Sequence, residues 1–294
     1  MSSINPPTGP DRPRPTLAFI TDRFDAATLS WLTGRLVSSL TAVLVVMSTV
    51  FLVTRLISNP AQRMLPLGAS QEQIDALNAK LGLADPLLLQ YTRFLGDLVT
   101  LNLGDSIWYH QPAIAVALGR LPSTFALLGL ALVISIAIFV PLGILASRRP
   151  GSRVDRLVTG ASLAGLSVPE FWLGAMLVLI FAVGLGWFPT SGSGSLQHVI
   201  LPAVTLSLFL GGRLAQVTRT SFLDQRNMPY VTMAQAKGFS SGYILRKHVL
   251  RNALVPIVTI VSWDSARIIT GHAVVVEVVF ARPGFGRLII ESVQ

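Results

Sequence analysis

Five long apolar stretches dominate this chain, running approximately from Leu36 to Ile57, Leu121 to Ala146, Leu157 to Val183, Val199 to Val217 and Leu250 to Val276. A hydrocarbon layer about 30 Å thick takes roughly 20 such residues per helix, because an open strand or loop leaves its backbone unpaired in lipid. The runs therefore predict an all-α, polytopic membrane protein. Of the 294 residues, 51% are hydrophobic and only 13% charged, too apolar for an ordinary soluble domain. Small residues such as Gly129, Ser135 and Gly143 in the second run let spans approach closely, so a helix bundle is expected.

The net charge is +9, but Lys and Arg sit in short blocks between the runs and not along one polar face, which argues against nucleic-acid binding. Their distribution orients the bundle. Arg12, Arg14, Arg23 and Arg35, then Arg148, Arg149, Arg153 and Arg156, then Arg219 to Arg251 all fall on one side, which is assigned to the cytoplasm together with the amino terminus. Residues 1–30 read as a solvated tail without signal-peptide features, and residues 31–294 as one membrane domain. Five spans leave the end of the chain outside, just after Arg282-Pro283-Gly284-Phe285-Gly286, so a sixth span is expected beyond it. The absence of cysteine excludes disulfides and thiol chemistry. His110, His198, His248 and His272 lack ligand spacing, so no metal site is expected.

Two loops carry structure. In the outer one, 58–120, Ser70 and Gln73 form a capping box for a helix ending at Gly82. Asp85 is expected to cap a second, amphipathic helix that starts at Pro86 and packs on the bundle or lies on the membrane surface. The inner loop, 219–251, is too long for a mere connection. There, Tyr230 to Lys237 predicts a short helix halted by Gly238. Ser240 or Ser241 then caps a second helix, Tyr243 to Leu254, giving an elbow across the cytoplasmic face. Ala234 and Ala236 let a partner surface come close, and Tyr230 and Phe239 are candidates to fill pockets on it.

At these residues the chain resembles the permeases of the dipeptide, oligopeptide and nickel importer family of ABC transporters. The stretch Tyr230 to Gly238, followed by Arg251-Asn252-Ala253-Leu254-Val255-Pro256, is similar to the family's coupling loop, the EAA motif. Met233 or Ala234 stands where many importers have Glu. Further similarity lies in Leu81 to Pro86 with Gln90-Tyr91, Asn102 to Ser106, Arg120 to Thr124, Ser167-Val168-Pro169 with Phe171 to Gly174, Gly186 to Pro189, and Val274 to Glu277 running into Pro283 to Gly286.

The resemblance implies a type I ABC importer permease fold and a set of partners. These are a second homologous permease subunit, two ATPase subunits and an extracytoplasmic solute-binding protein, in the inner membrane of a prokaryote. ATP and Mg would bind the ATPases. This chain contains no phosphate-binding loop ending in Gly-Lys-Ser/Thr, so neither enzymatic activity nor a cofactor of its own is expected. Asn227, Tyr230, Val231, Ala234, Ala236, Lys237, Gly238 and Phe239 form the candidate ATPase-docking set. Glu170, Asp264 and Arg267 fall within predicted spans, where an ionised group needs water or a partner. Asp264 and Arg267 share a helix face and are expected to pair, with Glu170 adding a second carboxylate. They are candidates either for a structural ion pair or for a hydrated translocation path. The competing function is an ion-coupled secondary transporter, for which the elbow would have no use.

Overall fold

The computed structural model describes residues 26–57, 61–62, 65–66, 68–106 and 108–293. The predicted tail over 1–25, with Arg12, Arg14 and Arg23, lies outside the described residues. No β-strand is present among those described. The chain divides after Leu101 into two compact units.

The first unit holds α1 (Ala26–Ile57), α2 (Gln71–Lys80) and α3 (Leu87–Val99). The α1 helix starts ten residues before the apolar run and is exposed along most of its length. The capping box at Ser70 and Gln73 is formed in both directions, and Gly82 takes φ +66° as the stop signal requires. Asp85 does not cap α3. Pro86 occupies that position, and Asp85 instead accepts from Arg93 at 2.5 Å. The arginine, nearly two turns into the helix, draws the carboxylate away from the backbone. The amphipathic α3 packs on α1, with Phe51 against Tyr91 and Phe94 at ring separations of 5.5 and 5.1 Å.

The second unit contains α4 (Ala113–Arg148), α5 (Arg153–Ser167), α6 (Glu170–Leu177) with a π-helical extension Val178–Gly184, and α7 (Gln197–Arg226). They are followed by α8 (Pro229–Ala236), α9 (Ser241–Ile244), α10 (Leu250–Arg267), α11 (Ala273–Val279) and α12 (Phe285–Val293). Alpha-helical and π-helical turns join α9 to α11 into one helix of 39 residues, Ser241–Val279. Among the described residues, four helices are long and apolar enough to cross a membrane: α1, α4, α7 and Ser241–Val279.

The third predicted run is not straight. Its halves, α5 and α6, meet at a bend of 103°. The cause is Pro169, which forces Val168 out of the helical region to φ −89°, ψ 126°. Pro141, Pro202 and Pro256 sit inside continuous helices. At the centre of this unit is α7, where 61% of the apolar stretch is buried against 22% for α4. Close approach rests on glycine. A methyl group on Gly143 would lie 2.6 Å from the Ala215 carbonyl, and one on Gly212 2.7 Å from that of Ser162. Two apolar clusters follow along α7, one around Leu127, Leu206 and Ile268, the other around Phe222, Val231 and Ile257.

Polar ties fix both ends of this bundle. At the elbow end, buried Asp155 pairs with Arg219, whose Nη2 donates at 2.8 Å, and Arg226 caps α4 by donating to the Ser147 and Arg148 carbonyls at 3.0 Å. At the other end, the wholly buried Glu277 accepts from the Thr124 hydroxyl at 2.6 Å and from the Arg287 backbone at 3.1 Å, holding the Pro283 to Gly286 turn against α4.

Candidate functional site

The elbow forms as a helix, a glycine stop and a capped restart. Pro229 opens α8, where its missing N–H costs nothing. Gly238 closes it at φ +79°, with Phe239 N–H donating back to the Ala234 carbonyl at 3.2 Å. Ser240 caps the restart, its hydroxyl accepting from Tyr243 N–H. The predicted second elbow helix, Tyr243 to Leu254, is not separate. Nothing after Ser240 breaks the helix, so it runs directly into the last long span.

The candidate docking residues divide between two faces. Val231 and Ala234 are buried against Ile244, Val249 and Ala253, so their side chains fasten α8 to its own bundle. Tyr230 is half-buried, donating to Gln225 at 2.7 Å and accepting from Asn252 at 3.2 Å. Asn227, Ala236, Lys237, Gly238 and Phe239 face outward. Exposed Met228, Met233 and Tyr243, which sequence reasoning passed over, extend that outward face. Phe239 stacks on Tyr243 at 5.0 Å, and Lys247 lies over the Tyr243 ring at 5.3 Å. The result is a ridge of apolar and aromatic side chains on a rigid mount.

The buried charges form a longer chain than their spacing implied. Asp264 is within 3.9 Å of Arg267, as expected, but its nearer partner is Arg213 of α7 at 3.4 Å. Glu170, the first residue after the α5–α6 bend, meets the His272 ring at 2.8 Å and does not join Asp264 directly. The other ring nitrogen of His272 lies 3.4 Å from Arg267. A donor at that nitrogen leaves it the acceptor, so Nδ1 carries the proton toward Glu170. His272 also packs on Phe209 at 4.3 Å. Five ionisable groups thus run in sequence, Glu170, His272, Arg267, Asp264 and Arg213, across α6, α7 and the last long helix. Trp263 is exposed beside them.

Arg213 and His272 were missed. The signal for Arg213 was available, since it lies inside the fourth apolar run. Among the described residues no group of three or more His, Asp or Glu side chains is arranged to hold a metal ion.

Residues 139–294 match the family described as "Binding-protein-dependent transport system inner membrane component". The oligopeptide transport system permease protein AppB of Bacillus subtilis (strain 168) is 37% identical over 80% of this chain and 77% of that protein. The glutathione transport system permease protein GsiC of Escherichia coli O6:H1 is 33% identical over 90% of this chain and 87% of that protein. A solved structure of the MetNI methionine ABC transporter in inward-facing conformations gives a TM-score of 0.48 at 19% identity, covering 60% of this chain and 80% of that one.

Proposed function

The chain belongs to the family of binding-protein-dependent transport system inner membrane components, and from that premise we propose that it forms half of the membrane path of an ATP-driven importer of short peptides or related small solutes. A second related permease supplies the other half. Two ATPase subunits, which hold the ATP and Mg, dock at the elbow end, and a solute-binding protein delivers cargo at the opposite end. In this arrangement the elbow and the amino terminus face the cytoplasm of a prokaryote, as the placement of Arg148, Arg149, Arg153, Arg219 and Arg246 favours.

The observation that carries this proposal is the two-faced elbow. Its inner face is locked into the bundle by Val231 and Ala234, while its outer face presents Met233, Phe239 and Tyr243 to solvent. A surface of that kind serves a partner. Closure of the ATPase pair would move the elbow and, through the continuous helix Ser241–Val279, the charged groups of the spans. The names of the relatives, for oligopeptides and glutathione, support small peptides as cargo.

The test is uptake of labelled di- and tripeptides by vesicles containing the assembled transporter and its binding protein. Uptake is expected to require ATP and to survive collapse of the proton and sodium gradients. Uptake that continues without the ATPase subunits and stops with the gradients would establish the ion-coupled alternative.

A further inference from the structure

The five-membered charge chain is balanced on paper and unbalanced in space. Its two carboxylates are matched in number by its two guanidinium groups. The carboxylates, however, are the hidden partners, with side chains 8% exposed at Asp264 and 10% at Glu170. The guanidinium groups are the visible ones, 42% exposed at Arg213 and 45% at Arg267. The cluster therefore shows a cationic surface.

Where that surface lies decides what can cover it. Arg213 is near the middle of α7, and Asp264 near the middle of the helix Ser241–Val279. A charge at that depth costs at least about 2.5 to 3.5 kcal/mol against lipid, so the exposed guanidinium groups face water or a polar ligand.

The pairing itself is loose. Both arginines reach the same oxygen of Asp264, Oδ1, at 3.4 and 3.9 Å, well beyond the 2.7–2.9 Å typical of a tight charge-assisted bond. Each guanidinium carries five N–H donors in a planar fork, and most of them remain uncommitted. Because the two groups converge on one atom, a second carboxylate arriving from the open side can be gripped by both. Asp264 cannot be that reader. It is enclosed, with Ser135 among the side chains around it, and acts as the anchor that holds the two forks together.

We infer that Arg213 and Arg267 are specificity-determining residues of the path, reading a free carboxylate on the cargo as it passes. The cargo class is then small solutes carrying an unblocked carboxylate, as a linear peptide does at its carboxyl terminus. This rests on the proposal above that the chain forms half of the membrane path, and adds to it that these groups line that path. Loose geometry suits the task, since a transported group must bind well enough to enter and weakly enough to leave.

The experiment uses the full transporter with its binding protein in vesicles and compares a peptide with its carboxamide, each at a concentration that saturates the binding protein. The intact transporter is expected to move the free acid at least about ten-fold faster, one charge-assisted contact being lost with the amide. Arg213→Gln and Arg267→Gln are each expected to bring that ratio close to one. Arg213→Lys, which keeps the charge but loses the fork, is expected to lower it about three-fold, and it gives the answer if the Gln variants fail to assemble. An acid-to-amide ratio unchanged in the Lys variant and in either assembled Gln variant overturns the inference. If the Gln variants slow both forms equally, carboxylate reading fails while the path proposal stands. If they slow neither, both fail.

Discussion

Two glycines of α4 make opposite predictions. Gly143 faces α7 so closely that an added methyl group would sit 2.6 Å from the Ala215 carbonyl and 2.7 Å from Thr218 Cβ. Ordinary contact begins near 3.4 Å, so the shortfall is about 0.8 Å, and one of the obstructing atoms is backbone in the most buried helix of the bundle. The rotation that would free a long side chain is not open to a carbonyl. The helices must separate, at a cost of about 3 kcal/mol, the upper end for overpacking. Gly129, on the same helix, has no atom within 4 Å of its added methyl group, so Gly129→Ala should only gain helix propensity, about 0.5 to 1 kcal/mol. Reversible unfolding of the purified chain in mixed micelles, followed by far-UV circular dichroism, measures both. If Gly143→Ala is neutral or stabilising, or if the two variants shift together, the close packing of α4 on α7 is refuted.

Other perturbations test the remaining elements. Asp155→Asn leaves Arg219 charged and half-satisfied at the α5–α7 junction, and the same unfolding assay should show a loss of about 3 kcal/mol. Ala236→Trp should leave stability unchanged and abolish binding-protein-stimulated ATP hydrolysis, whereas Ala234→Trp, on the buried face, should destabilise the fold; equal effects of the two would dissolve the two-faced elbow.

The spans were legible because hydropathy is a sum over many residues and survives local error. The elbow was legible because Pro229, Gly238 and Ser240 are local signals whose physics does not depend on the rest of the fold. What failed was what averaging hides. A window over Leu157 to Val183 passes smoothly through Pro169; a proline there signals a kink, but its size, 103°, shows only in the folded chain. Asp85 matched a capping pattern, and only the folded chain shows that Arg93 outcompetes the backbone for it. The charge chain was half-read for a related reason. Asp264 and Arg267 are close in sequence, while Arg213 is 51 positions from Asp264 and His272 is 102 from Glu170. Applying to Arg213 the rule that flagged Glu170, an ionisable residue inside an apolar run, would have found it.

The two sites are joined by covalent geometry and need no chain of intermediary contacts. The helix Ser241–Val279 begins at the restart of the elbow and carries Asp264, Arg267 and His272 along its length. At 1.5 Å per residue, Asp264 stands about 20 Å from Glu277, which the Thr124 bond fixes to α4. A tilt of ten degrees about that fixed end would therefore carry Asp264 sideways by roughly 3 Å, enough to part it from Arg213, which belongs to the separate helix α7. Glu170, on α6, would be drawn from His272 by the same movement. Each arginine or carboxylate left behind would then need a new partner, and water or a passing carboxylate is what the open face of the cluster admits. The bonds most exposed to such a movement are the long ones, 3.4 Å from Arg213 and 3.9 Å from Arg267 to Asp264. By contrast, the pairs at the bundle ends, Asp155 with Arg219 and Glu277 with Thr124, are short and buried and include no group of the charge chain. The loose pairing thus lies where movement is required, and the tight pairing where the bundle is held together.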